Sequence, residues 1–145
     1  MGLTHYWRRP ARLPPDMFRA AVADVRRLLS TAPVHVAGID GTGAPVLCDD
    51  QIAFNGRAPL ACESFVIAAI ECDRHGSGEV TSYCKTEYLP YDFFVKAVLI
   101  VLAHHHHPHF VVSSDEGHGG WAKARAFVRE MLGYCESFTL SPDRT

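Results

Sequence analysis

The segment from residue 34 to residue 85 constrains the fold more than any other part of the sequence. It contains five short runs of β-favouring residues, at 34–36, 46–48, 52–54, 65–70 and 80–85, and sequences rich in Gly, Asp and Asn lie between them. These intervals are too short to hold the crossover helices that parallel strands require. The segment therefore predicts antiparallel strands joined by turns, one of them at Asn55-Gly56.

Helical periodicity occurs on both sides of this segment. Residues 16–30 carry apolar side chains at three- and four-residue spacing, which predicts an amphipathic helix after a first strand at residues 3–8. Pro90 begins a second helix, in which residues 93–103 are apolar on nearly every side, so this helix belongs in the core or against a partner. After a short strand at 109–112, Ser114 or Asp115 is expected to cap a third helix that ends before Gly133.

This order of elements predicts an α+β fold with a mostly antiparallel sheet and about three helices packed on one face. The 145 residues suit one domain, which we place at residues 1–140, with a short tail at 141–145.

Composition excludes several classes of protein. The net charge of −2 does not suit a protein that binds nucleic acid through its overall charge, because such proteins are positively charged. The sequence therefore gives no strong signal of nucleic-acid binding. The longest apolar run, residues 97–103, is far shorter than a membrane helix, and the N-terminus has no apolar stretch of the signal-peptide type. The short apolar run predicts a soluble protein, and five cysteines without a Cys-x-x-Cys pair predict reduced thiols in a cytoplasmic environment.

The histidine-rich sequence His104-His105-His106-His107-Pro108-His109 raises the question of a metal. Imidazoles bind zinc, but no carboxylate or thiol stands at a standard ligand spacing from them. Histidine is also favoured at the end of a helix, where it interacts well with the dipole and the free carbonyls. We therefore predict a helix terminus without a metal site, while metal binding by this sequence remains the alternative.

Two polar clusters are better candidates for a ligand site. On a first strand, His5 and Trp7 face one way and Tyr6 and Arg8 face the other, and aromatic groups beside arginine suit bases and phosphates. The second cluster is Lys85-Thr86, at a strand end, followed by Tyr91-Asp92 at a helix start.

Short motifs in these clusters and elsewhere resemble those of a family of small phage-encoded and bacterial proteins that has no assigned activity. The motifs are Thr4-His5-Tyr6-Trp7, Phe54-Asn55-Gly56, Glu63-Ser64-Phe65, Cys84-Lys85-Thr86, Pro90-Tyr91-Asp92 and Ser113-Ser114-Asp115. The resemblance spans nearly the whole chain. It implies that polar side chains at these positions converge, and a phage setting implies an accessory role.

Three functions follow as hypotheses. The first is a pocket for a small anionic or nucleotide-like ligand, formed by His5, Tyr6, Trp7, Asn55, Glu63, Lys85, Thr86, Tyr91, Asp92 and Asp115. The second is an enzyme in which His5 or a carboxylate (Glu63, Asp92 or Asp115) acts as general acid–base, with or without a metal. The third is a homo-oligomer sealed by the apolar second helix. The sequence indicates no particular cofactor.

Overall fold

The computed structural model describes residues 2–142 and confirms the α+β fold, with three α-helices and seven strands in that range. In chain order the elements are β1 (Thr4–Pro10), α1 (Pro15–Thr31), β2 (Val36–Ala37), β3 (Val46–Cys48), β4 (Gln51–Gly56), β5 (Phe65–Ala68), β6 (Glu79–Lys85), α2 (Asp92–His105), β7 (Val111–Ser114) and α3 (Ala122–Leu132). A single 3-10 turn, His118–Trp121, directly precedes α3.

The predicted antiparallel pairing is confirmed, but the strands form two sheets. In the N-terminal sheet, β1 lies between β6 and β7, so that His5 is opposite Cys84 on one side and Ser114 on the other. In the second sheet, β4 is central and pairs with β2, β3 and β5. Burial alternates along β1, which directs His5, Trp7 and Arg9 into the interior.

Helix α2 forms the centre of the core. It packs against α1 and α3, and residues 97–102 have no exposed surface. The predicted apolar helix is therefore covered within one protomer. Its burial leaves the homo-oligomer hypothesis without support from this helix, because the apolar surface already has partners in the same chain.

Arg9 connects the two sheets from the buried face of β1. Its guanidinium donates to the carbonyl oxygens of Ala68 over 2.6 Å and Ala69 over 3.0 Å, and lies 3.1 Å from a carboxylate oxygen of Glu71. Burial lowers the pKa of Arg9, against the opposing effect of Glu71. These bonds join the buried face of β1 to the carbonyl groups at the end of β5.

Two local predictions were wrong. Asn55-Gly56 is not a turn but the end of β4, where it pairs with Val36 and Ala37 of β2. Neither Ser114 nor Asp115 caps a helix, since the 3-10 turn begins after Gly117 without a side-chain cap and Ser114 ends β7.

At the chain ends, the backbone N–H of Ser141, the first residue of the predicted tail, donates to the carbonyl of Val112 over 2.8 Å. Met1 and residues 143–145 lie outside the described residues. No helix within residues 2–142 has the length and apolar character needed to cross a membrane.

Candidate functional site

His5 lies at the centre of the candidate site. Its side chain is fully buried beneath the N-terminal sheet, and both ring nitrogens have hydrogen-bond partners. Nδ1 is 2.8 Å from Ser114 Oγ on the neighbouring strand, and Nε2 is 2.6 Å from Asp92 Oδ1 at the start of α2. The antiparallel register sets the first contact because it places His5 and Ser114 directly opposite each other.

The charge on Asp92 determines how protons are arranged in this chain of contacts. Burial raises the pKa of Asp92, but hydrogen bonds from His5, Thr86 and Lys96 outweigh it and leave this pKa below its ordinary value. An ionised Asp92 only accepts, so His5 donates from Nε2, and in the neutral imidazole Nδ1 then accepts the Ser114 hydroxyl proton. The N–H of Glu116 donates to Ser114 Oγ over 3.0 Å and completes the arrangement.

Lys96 ties this chain of contacts to the loop that follows β7. Its Nζ lies 2.9 Å from Asp92 Oδ2, donates to the carbonyl of Gly120 over 2.7 Å and forms an ion pair with Glu116. Thr86 donates to Asp92 Oδ1 over 2.6 Å. We call these six residues the His5 cluster: His5, Thr86, Asp92, Lys96, Ser114 and Glu116.

The His5 cluster carries one net negative charge when His5 is neutral, since Lys96 offsets only one of the two carboxylates. A proton on His5 would make it neutral overall. Trp121 closes the cluster with an edge-on contact to His5, at 5.1 Å between ring centroids, and is itself fully buried. The apolar ring of Trp121 keeps the local polarity low, which strengthens electrostatic interactions inside the cluster.

An open pocket of about 290 Å³ adjoins the His5 cluster and makes its edge accessible from the surface. Its walls are residues 114–118 on one side and residues 140–142 on the other, and Ser114 belongs to both the cluster and the wall. Among the described residues, the backbone N–H groups of Gly117 and His118 on this wall have no hydrogen-bond acceptor. We call this the Ser114 pocket.

The structure brings three of the sequence-predicted site residues into direct contact: His5, Thr86 and Asp92. Asp115 lies beside them at the pocket wall, where its carboxylate accepts from the N–H of Thr4 over 3.1 Å and from the hydroxyl of Tyr6 over 3.2 Å.

Another predicted group lies around Glu63. The Glu63 carboxylate accepts the N–H of Lys85 over 2.8 Å, and its carbonyl accepts the hydroxyl of Tyr91 over 2.6 Å. The Lys85 ammonium lies 3.1 Å from the carboxylate of Glu87, so nearby acidic groups compensate its charge. Tyr91 is fully buried in the core.

The two remaining predicted residues have structural contacts. Trp7 is buried and packs against Phe65, with ring centroids 5.1 Å apart. Asn55 is buried and bonds to the following loop through Cys62 and Ser64.

Sequence reasoning missed Ser114, Lys96, Glu116 and Trp121 as site residues. His5 and Ser114 are 109 residues apart, and only the pairing of β1 with β7 makes them neighbours. One local signal was present, because Lys96 is the single charged residue in the apolar run 93–103. A lysine at that position needs buried acidic partners.

Within residues 2–142, no group of three or more His, Cys, Asp or Glu side chains is arranged to hold a metal ion. Comparison with protein-family models, with curated proteins and with solved structures finds no significant similarity to this chain.

Proposed function

We propose that the protein is a small hydrolase of the ester or acyl-transfer type, with Ser114 as nucleophile, His5 as general base and Asp92 as the group that orients His5. One observation carries this proposal: an unbroken chain from Ser114 Oγ to His5 over 2.8 Å and from His5 to Asp92 over 2.6 Å, with Ser114 in the wall of an open pocket. A nucleophile, a base and an orienting carboxylate in hydrogen-bond contact define this chemistry on unrelated folds.

The proposed reaction needs only groups that are present in the cluster. Ser114 Oγ attacks the substrate carbonyl carbon, the carbonyl electron pair moves to oxygen, and the hydroxyl proton passes to His5 Nδ1. When the carbonyl re-forms, the bond to the leaving alcohol breaks and that alcohol takes the proton from His5. Water then attacks the acyl-serine in the same way and releases the acid and the free serine.

Electrostatics of the His5 cluster support the first step. An imidazolium at His5 brings the cluster to net neutrality, so the carboxylates stabilise the charge that develops on the base. The N–H groups of Gly117 and His118 are candidates to receive the substrate oxyanion, since both lie in the pocket wall without an acceptor among the described residues.

Covalent labelling by a fluorophosphonate is the direct test. Such a probe reacts with an activated serine, as an oxygen–phosphorus bond forms and fluoride leaves, and the adduct is located by mass spectrometry of proteolytic fragments. We expect one adduct at Ser114. Acetylation by an activated ester alone would be a less specific readout, because the exposed thiols of Cys48 and Cys72 are nucleophiles that also react with such an ester.

Ser114→Ala and Ser113→Ala form a matched pair, since both serines are buried in β7 and only Ser114 contacts His5. We expect Ser114→Ala to abolish labelling and to lower kcat/KM for p-nitrophenyl acetate at least about 100-fold, with Ser113→Ala close to wild type. A wild-type protein that neither labels nor hydrolyses the ester would refute the proposal, as would equal activity in the two variants.

The ligand-binding hypothesis stays a prediction. A small ligand at the Ser114 pocket is compatible with the same geometry, but Asp115 and Glu116 in its wall disfavour an anion. Lys85, the predicted anion contact, is compensated by Glu87 and lies outside this pocket wall.

A further inference from the structure

The histidine-rich sequence divides into residues with different surroundings. His105 lies 2.7 Å from a carboxylate oxygen of Asp24 on α1, and His106 is buried. His104 and His107 instead lie at the edge of a second pocket, between the end of α2, the start of β7 and the segment after α3. We call it the His104 pocket. It is separate from the His5 cluster, which includes none of its lining residues.

The His104 pocket has an apolar floor and a polar rim. Phe110, Val112 and Phe138 supply buried apolar surface, while exposed His104 and His107 supply imidazoles at the rim. Its volume is about 190 Å³. For comparison, an apolar cavity of about 150 Å³ admits benzene.

We propose that the His104 pocket binds a small monocyclic aromatic molecule that carries one hydroxyl group, of the phenol class. The aromatic ring occupies the apolar floor against Phe110 and Phe138, and the hydroxyl donates to the imidazole of His104 at the rim. A ligand without a polar group would displace water from this rim without replacing its hydrogen bonds, which lowers affinity.

The position of His104 suits this role. Its ring stacks on Tyr134, with centroids 3.7 Å apart and an angle of 6° between planes, and Tyr134 donates to Asp24 over 2.6 Å. Stacking holds the imidazole in one orientation and so reduces the entropy lost on binding. Although His104 is exposed at the rim, partial desolvation of its ring, followed by the charges of His105 and His107, lowers its pKa despite the opposing effect of Asp24, which favours a neutral acceptor.

Calorimetric titration of the full chain with phenol, toluene and benzoate at neutral pH tests the proposal. We expect phenol to bind at least about fivefold more tightly than toluene, because only phenol replaces the rim hydrogen bond, and benzoate to bind more weakly than phenol. Equal binding of phenol and toluene, tighter binding of benzoate, or no heat with phenol at millimolar concentration would overturn it.

Two variants locate the site. His104→Phe retains a flat ring against Tyr134 and removes the acceptor, so phenol should bind at least about fivefold more weakly, whereas His109→Phe, outside the pocket wall, should bind normally. Ala103→Leu places a larger side chain in the pocket wall and should abolish binding. Unchanged affinity in either His104→Phe or Ala103→Leu would show that phenol binds elsewhere and refute the inference.

Discussion

His106 makes the stability of this protein sensitive to acid. The side chain is 3% exposed, its ring centroid is 6.3 Å from those of both Phe18 and Phe110, and within the described residues neither of its nitrogens has a hydrogen-bond partner. Burial, together with the charges of His105 and Arg9, lowers the pKa of His106 to about 4. We therefore expect His106→Phe, which suits these aromatic neighbours, to remove an acid-sensitive group from the folded state.

The sign and size of the effect follow from proton linkage. Between pH 6.5 and about pH 4 the unfolded chain binds a proton at this position and the folded chain does not, so the free energy of unfolding falls as the pH falls. Above pH 6.5 His106 is neutral in both states, so its contribution to the free energy of unfolding is fully present. With a pKa of about 4 in the folded state and about 6.5 in the unfolded state, the loss between pH 7 and pH 5 is about 2 kcal/mol.

Urea unfolding at pH 7 and pH 5, followed by the fluorescence of buried Trp7 and Trp121, measures this loss. Other groups titrate in the same range, so the informative quantity is the difference between wild type and variant. We expect His106→Phe to lose about 2 kcal/mol less than wild type between the two pH values. The exposed His109→Phe control should lose as much as wild type. Equal losses in wild type and His106→Phe would refute the argument.

Two further substitutions test the packing around the site. A Cβ at Gly120 would lie 2.7 Å from both carboxylate oxygens of Glu116, so in Gly120→Ala the end of this side chain must move away from Lys96. We expect about 1 kcal/mol lower stability by urea unfolding and weaker fluorophosphonate labelling, since Lys96 keeps Asp92 as a partner. Gly119→Ala, where a Cβ meets nothing within 4 Å, is the matched control and should match wild type within about 0.5 kcal/mol. Arg9→Met removes the guanidinium bonds to Ala68 and Ala69 and leaves the Glu71 carboxylate without its cationic partner, and we expect a loss of about 3 kcal/mol in the same assay. Arg9→Lys should restore only part of it, since one ammonium cannot reproduce the fork of the guanidinium; full stability in either Arg9 variant would contradict this account.

Local chemistry predicted most of the secondary structure. Apolar spacing in residues 16–30 indicated α1, alternation along residues 3–8 divided the side chains of β1 between two faces, and the continuous apolar surface of residues 93–103 indicated a helix in the core or against a partner. Each of these features depends on neighbours within a few residues, which is why periodicity detects them. The prediction of a turn at Asn55-Gly56 was wrong because these residues pair with Ala37 and Val36 of β2, a partner strand that lies outside a short window of sequence.

The sequence by itself determined the antiparallel class, the placement of His5 and Trp7 on one face of the first strand, and the apolar character of the second helix on nearly every side, because these follow from turn spacing, strand alternation and the residues of one helix. Tertiary structure alone decided that β1 pairs with both β6 and β7, and therefore that Ser114 lies opposite His5. The partners of His5 are 87 and 109 residues away along the chain. Strand order and register depend on core packing and loop closure across the whole chain. A short window of sequence contains only some of the residues involved, so it cannot predict them.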